Sequence, residues 1–418
     1  MNKKILFAFV AVVVIALGII LVYSFDSLSS PIIDDSNSSV LLNGSIETAE
    51  NVVDANNLFA FDLYSILNKQ EDNVFYSPYS ISSAIAMTYE GAKGQTADEI
   101  KQVFYFPESE VMRGGFANIN QKYNEGSLYY NLSIANALWI EKTYPFSSDY
   151  LKIISDYYGG KATNLDFIKE TEKSRIVINN WVEEKTNDKI KNLIPVGLLT
   201  PMTRMVLTNA VYFKANWSKQ FDAEDTYDKQ FETLTGNKTI KMMHQTSHFS
   251  YGENKDLQIL EMDYLGNNLS MLVILPKNDM SKVEDNLKGN LESWKKKMKD
   301  ERVSVSLPKF KFETKYFMGN DLKEMGMPTA FSGDADFSGM SLAGDLYIGE
   351  VIHQTFIEVA EYGTEAAAAT AVVMKTFTGP GNYEEPKYFI ADHPFIFVIQ
   401  DKSTGNILFM GKMNDPSE

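Results

Sequence analysis

The chain has 418 residues, 44% of them hydrophobic, enough for one large domain or two ordinary ones around a substantial core. Its 39 basic and 55 acidic residues leave a formal charge of −16, which argues against a general nucleic-acid binder, whose phosphate contacts need Lys or Arg. With no cysteine, the fold uses no disulfide and thiol catalysis is excluded.

The chain begins with Met1-Asn2-Lys3-Lys4, a short cytoplasmic segment (residues 1–4), followed by an uncharged apolar run over 5–25. That run is close to the ~20 residues of a spanning helix and lacks the small-x-small exit of a cleaved signal. The first expectation is therefore a membrane anchor with the remainder outside; the second is a cleaved signal peptide. Both export the main domain. Residues 26–55, rich in Ser, Asn and Asp, read as a flexible linker. Asn-x-Ser/Thr triplets occur at Asn37, Asn43, Asn131, Asn237 and Asn268, a pattern too frequent by chance to establish glycosylation.

From residue 56 onward neither a linker nor an internal repeat interrupts the chain, so 56–418 reads as one domain. Helical periodicity covers 57–67, and again 80–89 after the Ser77-Pro78 start signal. A third amphipathic pattern over 176–193 is carried by Ile176, Val177, Asn180, Trp181, Ile190 and Ile194. Strand-like segments follow at 205–213, 269–275, 303–307, 352–359 and 395–399. Helices first, then strands, indicate an α+β fold. Lys295-Lys296-Lys297, with Lys299, reads as the solvated face of a helix near Trp294. The four histidines are His244, His248, His353 and His393. His244 and His248 have i,i+4 spacing, but no carboxylate lies between them to complete a zinc-hydrolase motif, and no metal is expected.

The informative stretch runs from Ile352 to Pro394. A strand at 352–359 is followed by Glu361-Tyr362-Gly363-Thr364-Glu365-Ala366-Ala367-Ala368-Ala369-Thr370-Ala371-Val372-Val373, then by Gly379-Pro380-Gly381, which punctuates the chain. One reading is a short Ala/Thr element followed by a surface loop. The other is a loop able to become a strand inside a sheet. In that case Thr364, Ala366, Ala368, Thr370, Val372 and Met374 would share one face. Up to Thr370 these are small enough to slide beneath helices.

Several motifs, in order, resemble the serpin family over about residues 56–414. They include Asn73-Val74-Phe75-Tyr76-Ser77-Pro78-Tyr79-Ser80-Ile81, Ala86-Met87-Thr88-Tyr89-Glu90-Gly91-Ala92-Lys93-Gly94 and Leu207-Thr208-Asn209-Ala210-Val211-Tyr212-Phe213-Lys214 with Trp217. Leu307-Pro308-Lys309-Phe310, Ala335-Asp336-Phe337-Ser338-Gly339-Met340 and Phe409-Met410-Gly411-Lys412 continue the match. The resemblance implies three β-sheets (A, B and C), eight or nine helices and an exposed reactive-centre loop, about 361–392. It also implies a suicide substrate of serine proteases: the protease is acylated by the loop, which then inserts into sheet A and distorts the enzyme before the ester is hydrolysed.

Carried over by residue, Glu361 is the loop's proximal anchor. Gly363, Thr364, Glu365, Ala366, Ala367, Ala368, Ala369 and Thr370 form the hinge of inhibitory members, unbroken by proline or bulk. Ser77, Ser80, Asn209 and His353 match the polar group beneath sheet A where strands part, with His353 read as a satisfied buried histidine. Counting from Glu361 puts the scissile bond at Phe377–Thr378, suited to chymotrypsin-like or broad subtilisin-like enzymes; Lys375 and Met374 are the alternative primary-specificity residues. The stretch from Phe377 to His393 is longer than in many serpins, the extra residues lying after the cut. The partner is thus a serine protease held covalently, with no cofactor and a monomeric working form. No Gly-x-Ser-x-Gly elbow suggests an enzyme. The alternative is a non-inhibitory serpin acting as a chaperone, binding or surface structural protein.

Overall fold

The computed structural model describes residues 46–69, 71–124, 127–364 and 385–417. Its helices cluster early: α1 (Ile46–Leu67), α2 (Pro78–Tyr89), α3 (Gly94–Phe104), α4 (Ser109–Asn124), α5 (Ser148–Tyr158) and α6 (Thr171–Lys185). Two more, α7 (Met280–Lys295) and α8 (Gly319–Met325), lie between later strands. The start of α2 follows from Ser77, whose hydroxyl caps the helix by accepting from the Ser80 N–H, and from Pro78 in the first turn. This helix is buried along almost its whole length, so it sits within the core rather than on it.

The third helical pattern extends too far. Helix α6 ends at Lys185, and Asn187, Asp188 and Asn192 take positive φ, so the chain turns away before Ile190. Its buried face is Ser174, Ile178, Asn179 and Val182, while Ile176 and Val177 are exposed. Asn179 explains why Ile194 still packs here: its side-chain amide donates to the Ile194 carbonyl at 2.9 Å and accepts the Ile194 N–H at 2.8 Å. A buried polar pair, not helical periodicity, brings the segment back.

Among the described residues fifteen strands form three sheets, two of them joined through one long strand. The first has the order β10 (Phe310–Phe317), β11 (Ile352–Ala360), β12 (Gly363–Thr364), β4 (Met205–Asn216), β2 (Tyr130–Glu141) and β3 (Lys161–Leu165). The other two share the long strand β6 (Gly236–Glu253). Its first part pairs with β5 (Thr226–Thr233) and, over most of its length, with β9 (Lys299–Pro308), which in turn pairs in parallel with β13 (Lys387–Ile390). Its last residues pair with β7 (Leu257–Asp263). From there the third sheet runs through β8 (Leu269–Pro276), β14 (Phe395–Asp401) and β15 (Ile407–Met413) to β1 (Val74–Tyr76).

Every residue of β8, β14 and β15 is buried, in keeping with their predominantly apolar sequences. Phe75 links this sheet to the core, its ring stacked 5.3 Å from Phe409 and 5.7 Å from Phe397. Strand β5 had no such signature because most of its residues are exposed. His244 and His248 lie on β6, not on a helix, and four strand residues separate side chains by about 13 Å, too far to share one metal ion. Among the described residues no group of His, Cys, Asp and Glu could hold a metal, and no helix is long and apolar enough to cross a membrane. The apolar run 5–25 lies outside the described residues.

Candidate functional site: an open slot in the first sheet

Strands β11 and β4 both run alongside β12, and among the described residues only its Gly363 and Thr364 close the sheet between them. Val359 pairs with Thr364 and Ala360 with Gly363; on the other side Gly363 pairs with Asn216 and Thr364 with Ala215. Among the described residues, β11 and β4 share no ladder of their own. Among the described residues, a strand between β11 and β4 is therefore present only at one end, which defines a slot in the sheet.

That beginning is firmly held. Thr364 is buried, and its hydroxyl lies 2.6 Å from the Tyr264 hydroxyl. Tyr264 stacks on Trp217 with ring centroids 4.5 Å apart. Trp217 in turn donates from its indole N–H to the Ala360 carbonyl at 3.0 Å and from its backbone N–H to the Tyr362 carbonyl at 2.8 Å. The Phe221 N–H donates to the Glu361 carbonyl at 2.9 Å. Gly363 is there for space: a Cβ on it would come within 2.1 Å of the Ala215 carbonyl oxygen. Glu361 is also buried, which pushes its carboxyl pKa up, but Lys309 at 2.8 Å and other donors more than offset this and hold it below the usual carboxylate value.

Further along the slot, the inward face of β11 carries Val359, Ile357, Thr355 and His353, all buried. The hydroxyls of Thr314 and Thr355 both donate to the Phe75 carbonyl, at 2.5 and 2.8 Å. The Ser77 N–H donates to His353 Nε2 at 3.0 Å, so Ser77, Ser80 and His353 do come together beneath the sheet. Asn209 lies in β4, paired with Asn136 of β2.

Residues 54–416 match the family model described as Serpin (serine protease inhibitor). The chain belongs to the serpin family. It is 49% identical over 372 residues to an uncharacterized serpin-like protein of Thermococcus kodakarensis, covering 88% of this chain and 86% of that protein. Leukocyte elastase inhibitor A of Mus musculus is 40% identical over 382 residues, covering 88% of this chain and all of the mouse protein. Human thyroxine-binding globulin, solved in complex with its ligand, superposes with a TM-score of 0.80 at 30% identity, over 89% of this chain and 100% of that one. The relatives of this serpin thus include a protein named as an elastase inhibitor and a thyroxine-binding globulin on one fold, and as a serpin it is not an enzyme.

In this serpin the reading of His353 as a satisfied histidine needs correction. Its Nε2 is engaged, but Nδ1 is buried with no hydrogen-bond partner among the described residues, and so is the Ser80 hydroxyl. Burial pushes the imidazole pKa from 6.5 down to about 3, so the ring is neutral. The predicted hinge from Glu365 to Thr370, and Met374, Lys375, Phe377 and Thr378, lie outside the described residues. The far end of the predicted loop span enters the structure as β13, where Tyr388 and Phe389 pair with Ser304 and Val305. Sequence reading missed the roles of Lys309 and Tyr264. Lys309 stood within a recognised motif, but Tyr264 carries no local signal, since the turn between β7 and β8 delivers it.

Proposed function

We propose that this serpin is a suicide-substrate inhibitor of serine proteases, of chymotrypsin-like or subtilisin-like specificity. The observation that carries the reading is β12: two residues of the hinge already occupy the slot, in register with both neighbours. Continuing that register sets residue 366 against 357 and 213, residue 368 against 355 and 211, and residue 370 against 353 and 209. Thr364 is buried, so Ala366, Ala368 and Thr370 would follow it onto the buried face of Ile357, Thr355 and His353, where small side chains are accommodated most easily. Strand β4 begins at Met205, level with residue 374 of an inserted loop. A cut after Phe377 therefore leaves a segment long enough to fill the slot and emerge at its far end.

The chemistry belongs to the protease. Its serine oxygen attacks the Phe377 carbonyl, the Phe377–Thr378 bond breaks, and the Thr378 amine leaves as the start of the downstream fragment. Insertion of the upstream segment then drags the esterified enzyme along the sheet faster than water releases it. The inhibitor contributes a cleavable bond and a downhill conformational change. The apolar run 5–25 supports an exported domain, held at a membrane surface if the run is retained and secreted if it is cleaved.

The test incubates the full chain with a chymotrypsin-like and a subtilisin-like protease and reads the products by denaturing gel and intact mass. The expected result is a covalent complex with a released peptide beginning at Thr378. A complex with another released peptide moves the bond to Lys375 or Met374. Complete cleavage that leaves every protease active, trypsin-like enzymes included, overturns the inhibitor reading in favour of a non-inhibitory serpin.

A further inference from the structure

Strand β10 is the outermost strand of the slotted sheet. All eight of its residues pair with β11, and among the described residues no strand, turn or loop pairs with its other side. In an antiparallel pair every second residue aims its N–H and C=O away from the neighbour, so that side carries a row of unpaired groups roughly 25 Å long. Lysines commonly guard such an edge. Here they are committed elsewhere: Lys311 pairs with Glu358 at 3.5 Å, and Lys315 donates to the Asn192 carbonyl at 2.9 Å. The inward side chains are fixed as well. Phe312 packs on Phe75 with ring centroids 6.1 Å apart, and the Tyr316 hydroxyl accepts from the Phe75 N–H at 3.3 Å. Among the described residues the edge is thus held in place and left uncapped.

A groove of about 660 Å³ runs beside that edge, lined by residues 312–317 and, opposite them, by the end of α1 and residues 72–74. Ile66, Leu67, Phe312 and Phe317 make part of it apolar, and Phe317 is exposed. Its charged lining residues are Asp72, Glu313 and Asp321 against Lys315 alone. Asp321 is half-buried and has no hydrogen bond or close ion pair among the described residues. Burial, with Glu324 and Glu350 nearby, pushes its carboxyl pKa up; Lys69 offsets this only in part, being held by Glu324 at 2.6 Å. A carboxylate so placed gains from an incoming cation. We propose that an extended, basic segment of a partner protein lies in this groove, paired with β10 as an added strand and with a lysine or arginine against Asp321. A long trough beside a free ladder matches a strand better than a compact ligand. A second copy of this chain, itself at −16, meets an acidic groove unfavourably. The site is separate from the slot and does not rest on the inhibitor reading.

The probe is the amidated, fluorophore-labelled peptide Lys-Val-Lys-Val-Lys-Val-Lys-Val, as long as β10, titrated against the full chain by anisotropy. Its controls are the peptide with glutamate for lysine and a form N-methylated throughout, which keeps the charge but cannot form a ladder. The lysine peptide is expected to fill one saturable site, and both controls to bind at least about tenfold more weakly. Asp321→Asn should weaken the lysine peptide about threefold, as loss of one partly exposed ion pair does. Bound peptide should also slow amide hydrogen exchange within residues 310–317. Absence of saturable binding, equal binding of the N-methylated form, or an unchanged affinity in Asp321→Asn overturns the proposal. So does slowed exchange confined to residues 205–216 and 352–360, which would put the peptide in the slot. A concentration-dependent dimer that the peptide dissolves would give the groove to a second copy, and likewise overturns the basic partner.

Discussion

Gly363 and His353 govern opposite ends of the slot. The contact at Gly363 is with backbone, which cannot swing aside as a side chain could, so Gly363→Ala must push β12 off β4. A loss of roughly 1–3 kcal/mol is expected, the usual cost of overpacking, read as a lower thermal midpoint; an unchanged midpoint would show that β12 adds nothing to the native state. At His353 the prediction concerns pH. The ring's native pKa of about 3 lies below its unfolded value of 6.5, so the unfolded chain takes up the proton first. Its stabilisation is thus complete above about pH 6.5 and is lost as the pH falls toward 3, by about 1.4 kcal/mol per unit within that window. Between pH 6.5 and 5 the protein should lose about 2 kcal/mol more than a His353→Phe variant, measured as the difference between their unfolding midpoints. Parallel curves would rule out the buried imidazole as a source of acid lability. The sequence located both residues, but that one nitrogen of His353 has no partner among the described residues depends on which strands and helix surround it.

For the loop as an element, alternation is the testable property. Ala368 is assigned to the inward face, beside Thr355 and Val211, and Ala367 to the outward one. Ala368→Glu places a charge beneath the sheet without a partner, a desolvation cost of several kcal/mol that should turn the inhibitor into a substrate. Covalent complex should fall at least about tenfold while loop cleavage continues; Ala367→Glu should keep trapping intact. Equal effects from both variants would mean that the loop does not enter as a regular strand. Among other elements, β8 and β14 were legible because burial on both faces favours long apolar runs. Helix α6 was overextended because Ile190 and Ile194 happen to continue its spacing, although they reach the core through a turn and the Asn179 side chain.

At the scale of the whole molecule, the question is whether the slotted sheet is the most stable arrangement of the chain. If it is a trapped state, cutting the loop after Phe377 should let the segment complete the sheet, adding a strand's hydrogen bonds and apolar contacts. A rise in thermal midpoint of at least about 10 °C is expected for the cleaved form, the shift that roughly 8 kcal/mol produces in a domain of this size. No rise would mean that cleavage merely severs a surface loop. Family membership, the α+β class, the central capped helix and the small-residue hinge were all set by local composition and motif order, which the chain carries in any conformation. Tertiary structure decided the rest: that among the described residues β11 and β4 share no ladder, that Tyr264, Trp217 and Lys309 hold the end of β12, and that a cavity is lined by β4, β11 and the central helix. Those features join residues far apart in the chain, and such contacts follow from strand order and packing, to which no local pattern is tied.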